Sequence, residues 1–212
     1  MLGILCGLES EAKIARRIPG ALVACAAARP GKARALAREL VERGATHLMS
    51  FGVAGGLQPG LPVGACLIGS RVVSIDGAWD CDGDWAALLA QKLPQAQLGG
   101  VWGSETLVPT AADKAGLYQE SECLIVDMES QCAAEIAGEA KLPLAVLRAV
   151  CDTAERNVPP VLMAAIDEDG SVDIVRAVAY LVLQPRAIPD IFHVMRGIHG
   201  ALRVLKSSLA AF

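Results

Sequence analysis

The sequence predicts a single α/β domain whose sheet is covered by helices on both faces. Short apolar runs alternate with segments of helical periodicity almost from end to end, which is typical of α/β proteins. The predicted strands are almost continuously apolar, which indicates burial on both faces and a three-layer α/β/α arrangement. A chain of 212 residues with 53% hydrophobic residues can bury one large core.

The predicted elements follow one another along the chain without repeats or low-complexity segments. Six apolar runs predict strands, at residues 2–8, 21–27, 46–52, 65–75, 123–128 and 142–150. Segments with apolar residues at helical spacing, several of which end near Gly or Pro, predict four helices, at residues 32–44, 84–93, 111–120 and 130–140.

A terminal amphipathic helix is predicted from Asp190, a candidate N-cap. One face of this helix is apolar: Ile191, Val194, Met195, Ile198, Leu202, Leu205 and Leu209. The other face is basic: Arg196, His199, Arg203 and Lys206. Two interpretations are open. The helix packs on the body or on a second subunit, or it makes peripheral contact with an anionic membrane surface.

Composition excludes several classes of protein. The net charge is −4, and the aromatic residues are not interleaved with basic ones, so a nucleic-acid partner is not expected. No run reaches the roughly 18 apolar residues of a spanning helix. The seven cysteines form no CxxC pair, which argues against disulfides and a metal site. The opening residues have no basic leader or cleavage site, so we expect a cytoplasmic protein that can meet the inner membrane.

Acidic residues follow three of the predicted strands, at the point where each strand ends. Glu9 and Glu11 follow the first strand. Asp127 and Glu129 end the fifth strand, and Asp152 ends the sixth. Any one of these acids alone is explained by capping of the next helix. Because ligands of open α/β sheets bind beyond the carboxyl ends of strands, three such acids together predict a ligand site at one edge of the sheet.

A glycine-rich segment, SFGVAGGLQPG at residues 50–60, adds a further signal. We expect a tight turn at Gly52, Gly55 and Gly56, where the backbone can approach a ligand closely. The spacing matches neither the dinucleotide fingerprint nor a P-loop. A plain turn without a ligand is the alternative.

Three motifs follow in a fixed order, FGVAGGL (51–57), VDMES (126–130) and RAVCDTA (148–154). Together they resemble the nucleoside phosphorylase and nucleosidase superfamily, which includes the methylthioadenosine/S-adenosylhomocysteine nucleosidases. The opening ILCGLESEA is similar to that family's first strand, and the ending LVLQPRAIPDIFHVMRG looks most like the hopanoid-associated phosphorylases. The resemblance implies a central mixed, largely parallel, twisted sheet, a catalytic domain over residues 1–184, and a helical extension of it over residues 185–212.

The resemblance also implies roles for individual residues. Glu129 matches the glutamate that accepts hydrogen bonds from the ribose hydroxyls, with Met128 beside the sugar, and a carboxylate suits a vicinal diol. Asp152 matches the general acid at the purine N7. Glu11 matches the glutamate that activates water. Arg148 matches a family arginine, for which a buried structural ion pair is an equal alternative.

Other positions concern the substrate and the nucleophile. Val53 and Gly55 match the glycine segment that borders the substrate, and Ser50 and Val53 stand where phosphorylases hold phosphate. Arg29, on a loop that borders the site in relatives, is a candidate cation for phosphate. Hydrolysis and phosphorolysis therefore both stay open. Leu107 and Val108 replace an aromatic residue near the base, so base stacking should be weaker.

The implied reaction cleaves the N-ribosyl bond of an adenosyl compound and releases adenine. The implied substrate is lipid-linked, such as adenosylhopane. A methylthioadenosine/S-adenosylhomocysteine-type nucleosidase and a non-catalytic nucleoside-binding module are the alternatives. We expect no cofactor, with phosphate as an optional co-substrate, and at least a homodimer. Asp127 is predicted to be a structural hydrogen-bond acceptor, and Cys151 stands where relatives place a serine.

Overall fold

The protein is described by a computed structural model over residues 1–159 and 188–212. Within these ranges one sheet contains β1 (Leu2–Cys6), β2 (Leu22–Cys25), β3 (His47–Gly56), β4 (Cys66–Ser74), β5 (Gly77–Asp80), β6 (Gln97–Gly103), β7 (Ile125–Asp127) and β8 (Leu144–Asp152). The helices around it are α1 (Glu9–Ala15), α2 (Pro30–Glu42), α3 (Gly83–Lys92), α4 (Ala111–Ser121), α5 (Ser130–Ala140) and α6 (Ile188–Ser208), which is followed by a 3-10 turn, Leu209–Ala211.

The sheet is mixed and largely parallel, which confirms the predicted fold class. Parallel pairs join β1 to β2 and β3, β3 to β8, β4 to β6, and β6 to β7. Antiparallel pairs join β3 to β7, and β4 to β5 and β8. As a result, β3, β7, β6, β4 and β8 pair in a closed ring. Closure aligns Gly55 of β3 with both Val126 of β7 and Asp152 of β8.

Two separate apolar cores confirm that helices cover both faces of the sheet. Neighbouring residues of a strand point to opposite faces. Leu5 and Val146 therefore belong to one core, whereas Ile4 and Leu147 belong to the other. Helices α2 and α5 cover the first face, and α1, α3 and α6 cover the second. The arrangement is the predicted three-layer α/β/α domain.

All six predicted strands and all four predicted internal helices are present, with ends that differ by a few residues. Local capping explains where several helices begin. Pro30 occupies the first turn of α2, where its missing N–H costs nothing. The Asp82 carboxylate accepts a hydrogen bond from the Trp85 N–H at 2.8 Å, and the Thr110 hydroxyl accepts one from the Asp113 N–H at 3.1 Å.

The sequence did not predict α1, β5 or β6. α1 is only seven residues long, and β5 is a short, mostly exposed edge strand. β6 reads QLGGVWG, and glycine in a strand interior usually argues against a strand. Here the glycines make room for neighbours: a Cβ on Gly99 would lie 2.3 Å from Leu124 Cδ1, and one on Gly103 would lie 2.5 Å from Gln131 Cβ.

The glycine-rich segment was predicted wrongly as a tight turn. β3 continues through Gly52 and Gly55 to Gly56, and none of the three has a positive φ. Instead of turning, the chain shifts its register against β8 between Ala54 and Gly55. Such an irregularity bends a strand without ending it.

The terminal helix α6 packs on the body of the molecule. Ala201 and Leu205 are fully buried in the core that α1 and α3 also cover. The apolar face is therefore occupied by intramolecular contacts, as the packing interpretation predicted. Asp190 lies inside the described helix, so the predicted start at this residue was wrong. The predicted domain boundary at 184/185 lies outside the described residues. None of the helices in residues 1–159 and 188–212 is long and apolar enough to span a bilayer.

Candidate active site

One cavity lies where β1, β3, β7 and β8 end. Eight of the ten predicted site residues line it: Glu11, Val53, Gly55, Leu107, Val108, Met128, Glu129 and Asp152. Arg148 lies beneath the wall, fully buried. Arg29 is exposed at the start of α2, and Ala28 lines the cavity in its place. The rest of the wall is largely apolar: Leu8, Ala28, Ala54, Val126 and Val158.

The acids meet at this cavity as predicted, but their strands do not all run in the same direction. β1 and β8 run parallel to β3, as expected for strands that share a carboxyl edge. β7 runs antiparallel to β3, so its carboxyl end turns back toward the middle of β3. There it meets Arg148, which is aligned with Gly52 of β3. The convergence of acids therefore depends on the closed ring of strands and not on one common strand direction.

Arg148 connects the two acids of the VDMES motif. Its Nε lies 2.8 Å from Asp127 Oδ2, an ion-pair contact without hydrogen-bond alignment. Its Nη2 donates to Glu129 Oε2 at 3.2 Å and to Ser50 Oγ at 2.6 Å, and Nη1 donates to the Val53 carbonyl at 3.2 Å. A buried ion pair was one of the two interpretations of Arg148 from the sequence, and it is present. Through this pair Arg148 orients the Glu129 carboxylate.

Asp127 supports the backbone at the start of α5. Its Oδ1 accepts hydrogen bonds from the N–H groups of Ser130 at 2.8 Å and Glu129 at 3.2 Å. Its Oδ2 accepts one from the Ser130 hydroxyl at 2.5 Å. These contacts confirm that Asp127 is a structural hydrogen-bond acceptor. They also fix the turn that separates the Asp127 and Glu129 side chains.

Two glycines leave room for the charged groups. A Cβ on Gly7 would lie 2.6 Å from Glu129 Oε1. A Cβ on Gly52 would lie 2.6 Å from both Arg148 Nη1 and Glu11 Oε2. Real Cβ contacts are not this short, so both positions require glycine. In this chain Gly52 therefore admits the side chains of the site, rather than a ligand.

Glu11 is held by three backbone donors. Its Oε2 accepts from the N–H groups of Gly7 and Leu8, each at 2.8 Å, and its Oε1 accepts from the Val53 N–H at 2.8 Å. A carboxylate offers about four acceptor positions, and the described residues fill three of them, so Oε1 can also accept from a water molecule. Burial raises the pKa of Glu11 above its ordinary value, although Arg148 and these donors oppose the shift.

Glu129 is the carboxylate best placed to hold a proton. Glu11, Asp127 and Glu129 share the single guanidinium of Arg148, so full ionisation leaves an excess of negative charge. Among the described residues the Glu129 carboxylate accepts a hydrogen bond from Arg148 alone, at 3.2 Å. Burial, with the nearby charges of Asp127 and Glu11, raises the pKa of Glu129 to about 8. Like charges in a buried cluster cannot all ionise easily.

Asp152 lies at the tip of β8 and lines the same cavity as Glu11 and Glu129. Its Oδ2 forms an ion pair with Lys114 Nζ of α4. Its Oδ1 accepts from the Cys151 thiol at 3.2 Å. Burial, followed by the adjacent Asp152 carboxylate, raises the pKa of Cys151 well above its ordinary value. The thiol therefore stays protonated at neutral pH and remains a donor to Asp152.

Sequence reasoning missed Lys114. The residue lies in AADKAGLYQE, where a lysine on a short helix is ordinarily exposed. In the structure it is 1% exposed and lines the cavity. No local signal indicates this burial, because the partner of Lys114 lies 38 residues further along the chain. Ser50 and Ser130 were also not predicted to support Arg148 and Asp127.

The arrangement combines acceptors for a sugar diol, a carboxylate that can accept from water, and the ion pair of Lys114 with Asp152. Excess negative charge around Arg148 favours a substrate that develops positive charge. In the described ranges no three His, Cys, Asp or Glu side chains are grouped so as to hold a metal ion. The absence of a cofactor stays a prediction.

Solved structures with this fold include two nucleosidases and a hydrolase. S-adenosylhomocysteine nucleosidase from Streptococcus pyogenes has a TM-score of 0.75 and 16% identity, covering 99% of this chain and 94% of that one. Futalosine hydrolase of Helicobacter pylori has a TM-score of 0.75 and 14% identity, with 99% and 95% covered. The 5′-methylthioadenosine/S-adenosylhomocysteine nucleosidase from Neisseria meningitidis has a TM-score of 0.76 and 14% identity, with 99% and 96% covered.

At these identities the structural likeness shows the fold. No curated protein matches the chain significantly in sequence. A family model gives a direct result, because the model of the Phosphorylase superfamily matches residues 14–179, well over half of the chain. The chain therefore belongs to the Phosphorylase superfamily.

Proposed function

We propose that the protein cleaves the N-ribosyl bond of an adenosyl compound and releases adenine. The observation that carries this proposal is the set of three acids, Glu11, Glu129 and Asp152, around one largely apolar cavity. An apolar wall with a few convergent polar groups suits a nucleoside. Membership of the superfamily supports the reaction class.

In this mechanism Glu129 binds the ribose. Its carboxylate accepts hydrogen bonds from the vicinal hydroxyls, while Arg148 holds it from the opposite side. As the bond from carbon to the base nitrogen breaks, its electron pair leaves with the purine and positive charge develops on the sugar. The excess negative charge of Glu11, Asp127 and Glu129 stabilises that cation. Met128 lies in the wall beside Glu129.

Asp152 faces the base in this pose. A proton delivered to N7 makes adenine a neutral leaving group, and a positioned general acid contributes roughly 10²- to 10⁴-fold to the rate. Leu107 and Val108 line the same cavity and would contact the purine ring through apolar surface.

We propose hydrolysis rather than phosphorolysis. The described residues leave one acceptor position of Glu11 for water, whereas phosphate near Glu11, Glu129 and Asp127 would meet a negative field. Ser50, which stands at the phosphate position of phosphorylases, accepts from Arg148. Arg29 does not line the cavity. Glu11 would accept the proton that water loses on attacking the sugar.

For the substrate we propose an adenosyl compound linked to a lipid, such as adenosylhopane. The apolar wall residues Leu8, Ala28 and Val158 support it, as does the resemblance of the chain ending to hopanoid-associated phosphorylases. The exposed basic residues Arg196, Arg203 and Lys206 of α6 fit peripheral contact with an anionic membrane. We also propose a homo-oligomer, as the resemblance implies.

A small thio-nucleoside is the second candidate substrate. It is favoured by the solved structures of similar fold, which include nucleosidases for methylthioadenosine and S-adenosylhomocysteine. Both candidates share the adenosyl group and differ at the 5′ substituent. A direct comparison of substrates therefore separates them.

The test is adenine release from methylthioadenosine, S-adenosylhomocysteine and a lipid-linked adenosyl compound, each with and without phosphate. We expect release without phosphate, and fastest release from the lipid-linked substrate. An absolute requirement for phosphate would disprove the hydrolytic step. Preference for a thio-nucleoside would disprove the lipid-linked substrate. The Glu129→Ala and Asp152→Asn variants serve as controls, and equal activity in them would remove the proposed site.

A further inference from the structure

Lys114 is a buried lysine whose three donor hydrogens are all used. Its Nζ donates to Asp152 Oδ2, to the Thr153 carbonyl at 3.0 Å and to the Arg156 carbonyl at 3.0 Å. An ammonium group has three donors and no acceptor. The geometry therefore matches a charged lysine paired with a carboxylate.

This pairing has a chemical consequence for Asp152. A carboxylate that forms an ion pair with an ammonium group carries no proton of its own. Its Oδ1 accepts from the Cys151 thiol, so both oxygens are engaged by donors. Yet the departing purine needs a proton at N7. The ammonium group of Lys114 is a donor in direct contact with Asp152 Oδ2.

We propose that Lys114 is the proton source for the leaving base and acts through Asp152; the inference rests on the proposed cleavage of the N-ribosyl bond. As the bond between sugar and base breaks, its electron pair passes to the purine. One proton moves from Lys114 Nζ to the Asp152 carboxylate, and Asp152 gives a proton to N7. Lys114 becomes neutral and takes up a proton from solvent after adenine leaves. Lys114 does not touch the substrate and acts only through Asp152, so it is a positioning residue for the general acid.

A purely structural role is the competing explanation. The bonds to the carbonyls of Thr153 and Arg156 tie α4 to the loop after β8. A buried ammonium group, however, is costly to desolvate. Lys114 also lines the cavity in which the base would lie, although its side chain is buried. The two roles predict different results when the leaving group is changed. A proton source affects only a leaving group that needs a proton, whereas a structural role affects the release of every leaving group.

The experiment compares Lys114→Arg and Lys114→Met with the wild type at about pH 8, where a carboxyl group is normally ionised. Arginine keeps the positive charge but does not give up its proton in proteins. Each variant is assayed on an adenosyl nucleoside and on 4-nitrophenyl riboside, whose leaving group departs as a stable anion. Lys92→Met is the matched control, because Lys92 donates to the Ala211 carbonyl at 2.8 Å outside the residues that line the cavity.

We expect both Lys114 variants to lose about 10²-fold or more in kcat for adenine release. Release of nitrophenol should stay close to the wild-type rate, and Lys92→Met should keep both activities. Equal losses on the two substrates, or unchanged adenine release, would overturn the inference. Circular dichroism checks that each variant is folded. A wild-type protein that releases neither product would instead overturn the proposed function.

Discussion

At the scale of single residues, the site depends on one guanidinium that serves three carboxylates. Arg148 contacts Asp127 and Glu129 directly. The Glu11 carboxylate and the Arg148 guanidinium both lie beside Gly52. Removing the arginine would leave the buried carboxylates without a cationic partner, and breaking a buried ion pair typically destabilises a protein by about 3–5 kcal/mol. The same crowding of negative charge makes the protonation of Glu129 sensitive to pH.

The first prediction concerns Glu129 and stability. Burial raises the pKa of Glu129 from an ordinary 4.5 to about 8, so the folded state holds this proton more tightly than the unfolded state. The corresponding stability is complete below the unfolded pKa and is lost as pH rises through the folded pKa. Urea unfolding at about pH 5, 7 and 9 should show the wild type losing stability relative to Glu129→Gln. A constant difference between the two proteins would contradict it.

The second prediction concerns pH and activity. Because the ribose hydroxyls require an ionised acceptor, kcat/KM of the wild type should rise with pH toward a plateau above the pKa of Glu129, about 8. The measurement is the pH profile of adenine release at low substrate concentration. If kcat/KM falls over this range instead, Glu129 acts in its protonated form and the prediction is wrong.

The third prediction concerns Gly52. Its replacement by Ala places a Cβ within 2.6 Å of Arg148 and Glu11, both buried. We expect a loss of about 1–3 kcal/mol in the free energy of unfolding, the usual cost of overpacking. Gly116→Ala is the control, since nothing lies within 4 Å of its added Cβ. In the middle of α4 that change should stabilise by roughly 0.5–1 kcal/mol. Chemical denaturation measures both.

At the scale of elements, α6 and β8 meet at an unusually close contact. A Cβ on Gly197 would lie 1.9 Å from the carbonyl oxygen of Cys151, next to Asp152. The glycine therefore lets the helix backbone touch the strand that carries the predicted acid. A shift of α6 would therefore displace Cys151 and, with it, the adjacent Asp152.

The fourth prediction tests that link. Gly197→Ala should force α6 away from β8, with a loss of about 1–3 kcal/mol in unfolding free energy and a lower kcat. Gly200→Ala on the same helix is the matched control, because its added Cβ meets Val63 only at an ordinary 3.7 Å. Equal thermal unfolding and equal activity of the two variants would show that the close contact at Gly197 affects neither stability nor catalysis.

At the scale of the whole molecule, the terminal helix is part of the core. Fully buried Ala201 and Leu205 lie in the second apolar core. Deleting residues 188–212 would expose that core, and each buried leucine alone contributes about 1.5–3 kcal/mol. A truncated chain is therefore unsuitable for testing membrane contact, and the exposed face must be tested in the intact protein.

The fifth prediction tests membrane contact on that exposed face. Charge reversal at Arg196, Arg203 and Lys206 should leave the fold and the melting temperature close to those of the wild type, because these side chains are exposed. Binding to vesicles with anionic lipid should be lost, at about 1 kcal/mol per basic residue. Vesicle co-sedimentation measures the binding. Unchanged binding would exclude the basic face as the contact.

The amino-acid sequence by itself determined the order of the main strands and helices and the acids that follow three strands. These features are local, since periodicity and apolar runs record which side of an element is buried. Acids at the ends of three strands could be predicted for the same reason, whereas the resemblance to the superfamily selected Glu11, Glu129 and Asp152 among them. The sequence also determined the family, through motifs that lie along the chain.

Only the tertiary structure decided which charges meet. The antiparallel course of β7 and the closed ring of strands bring Arg148 against Asp127 and Glu129. Lys114 and Asp152 are 38 residues apart and become partners only when α4 packs over the end of β8. The apolar face of α6 likewise found its partner in the core. Such pairings depend on long-range packing, which no local pattern of residues records.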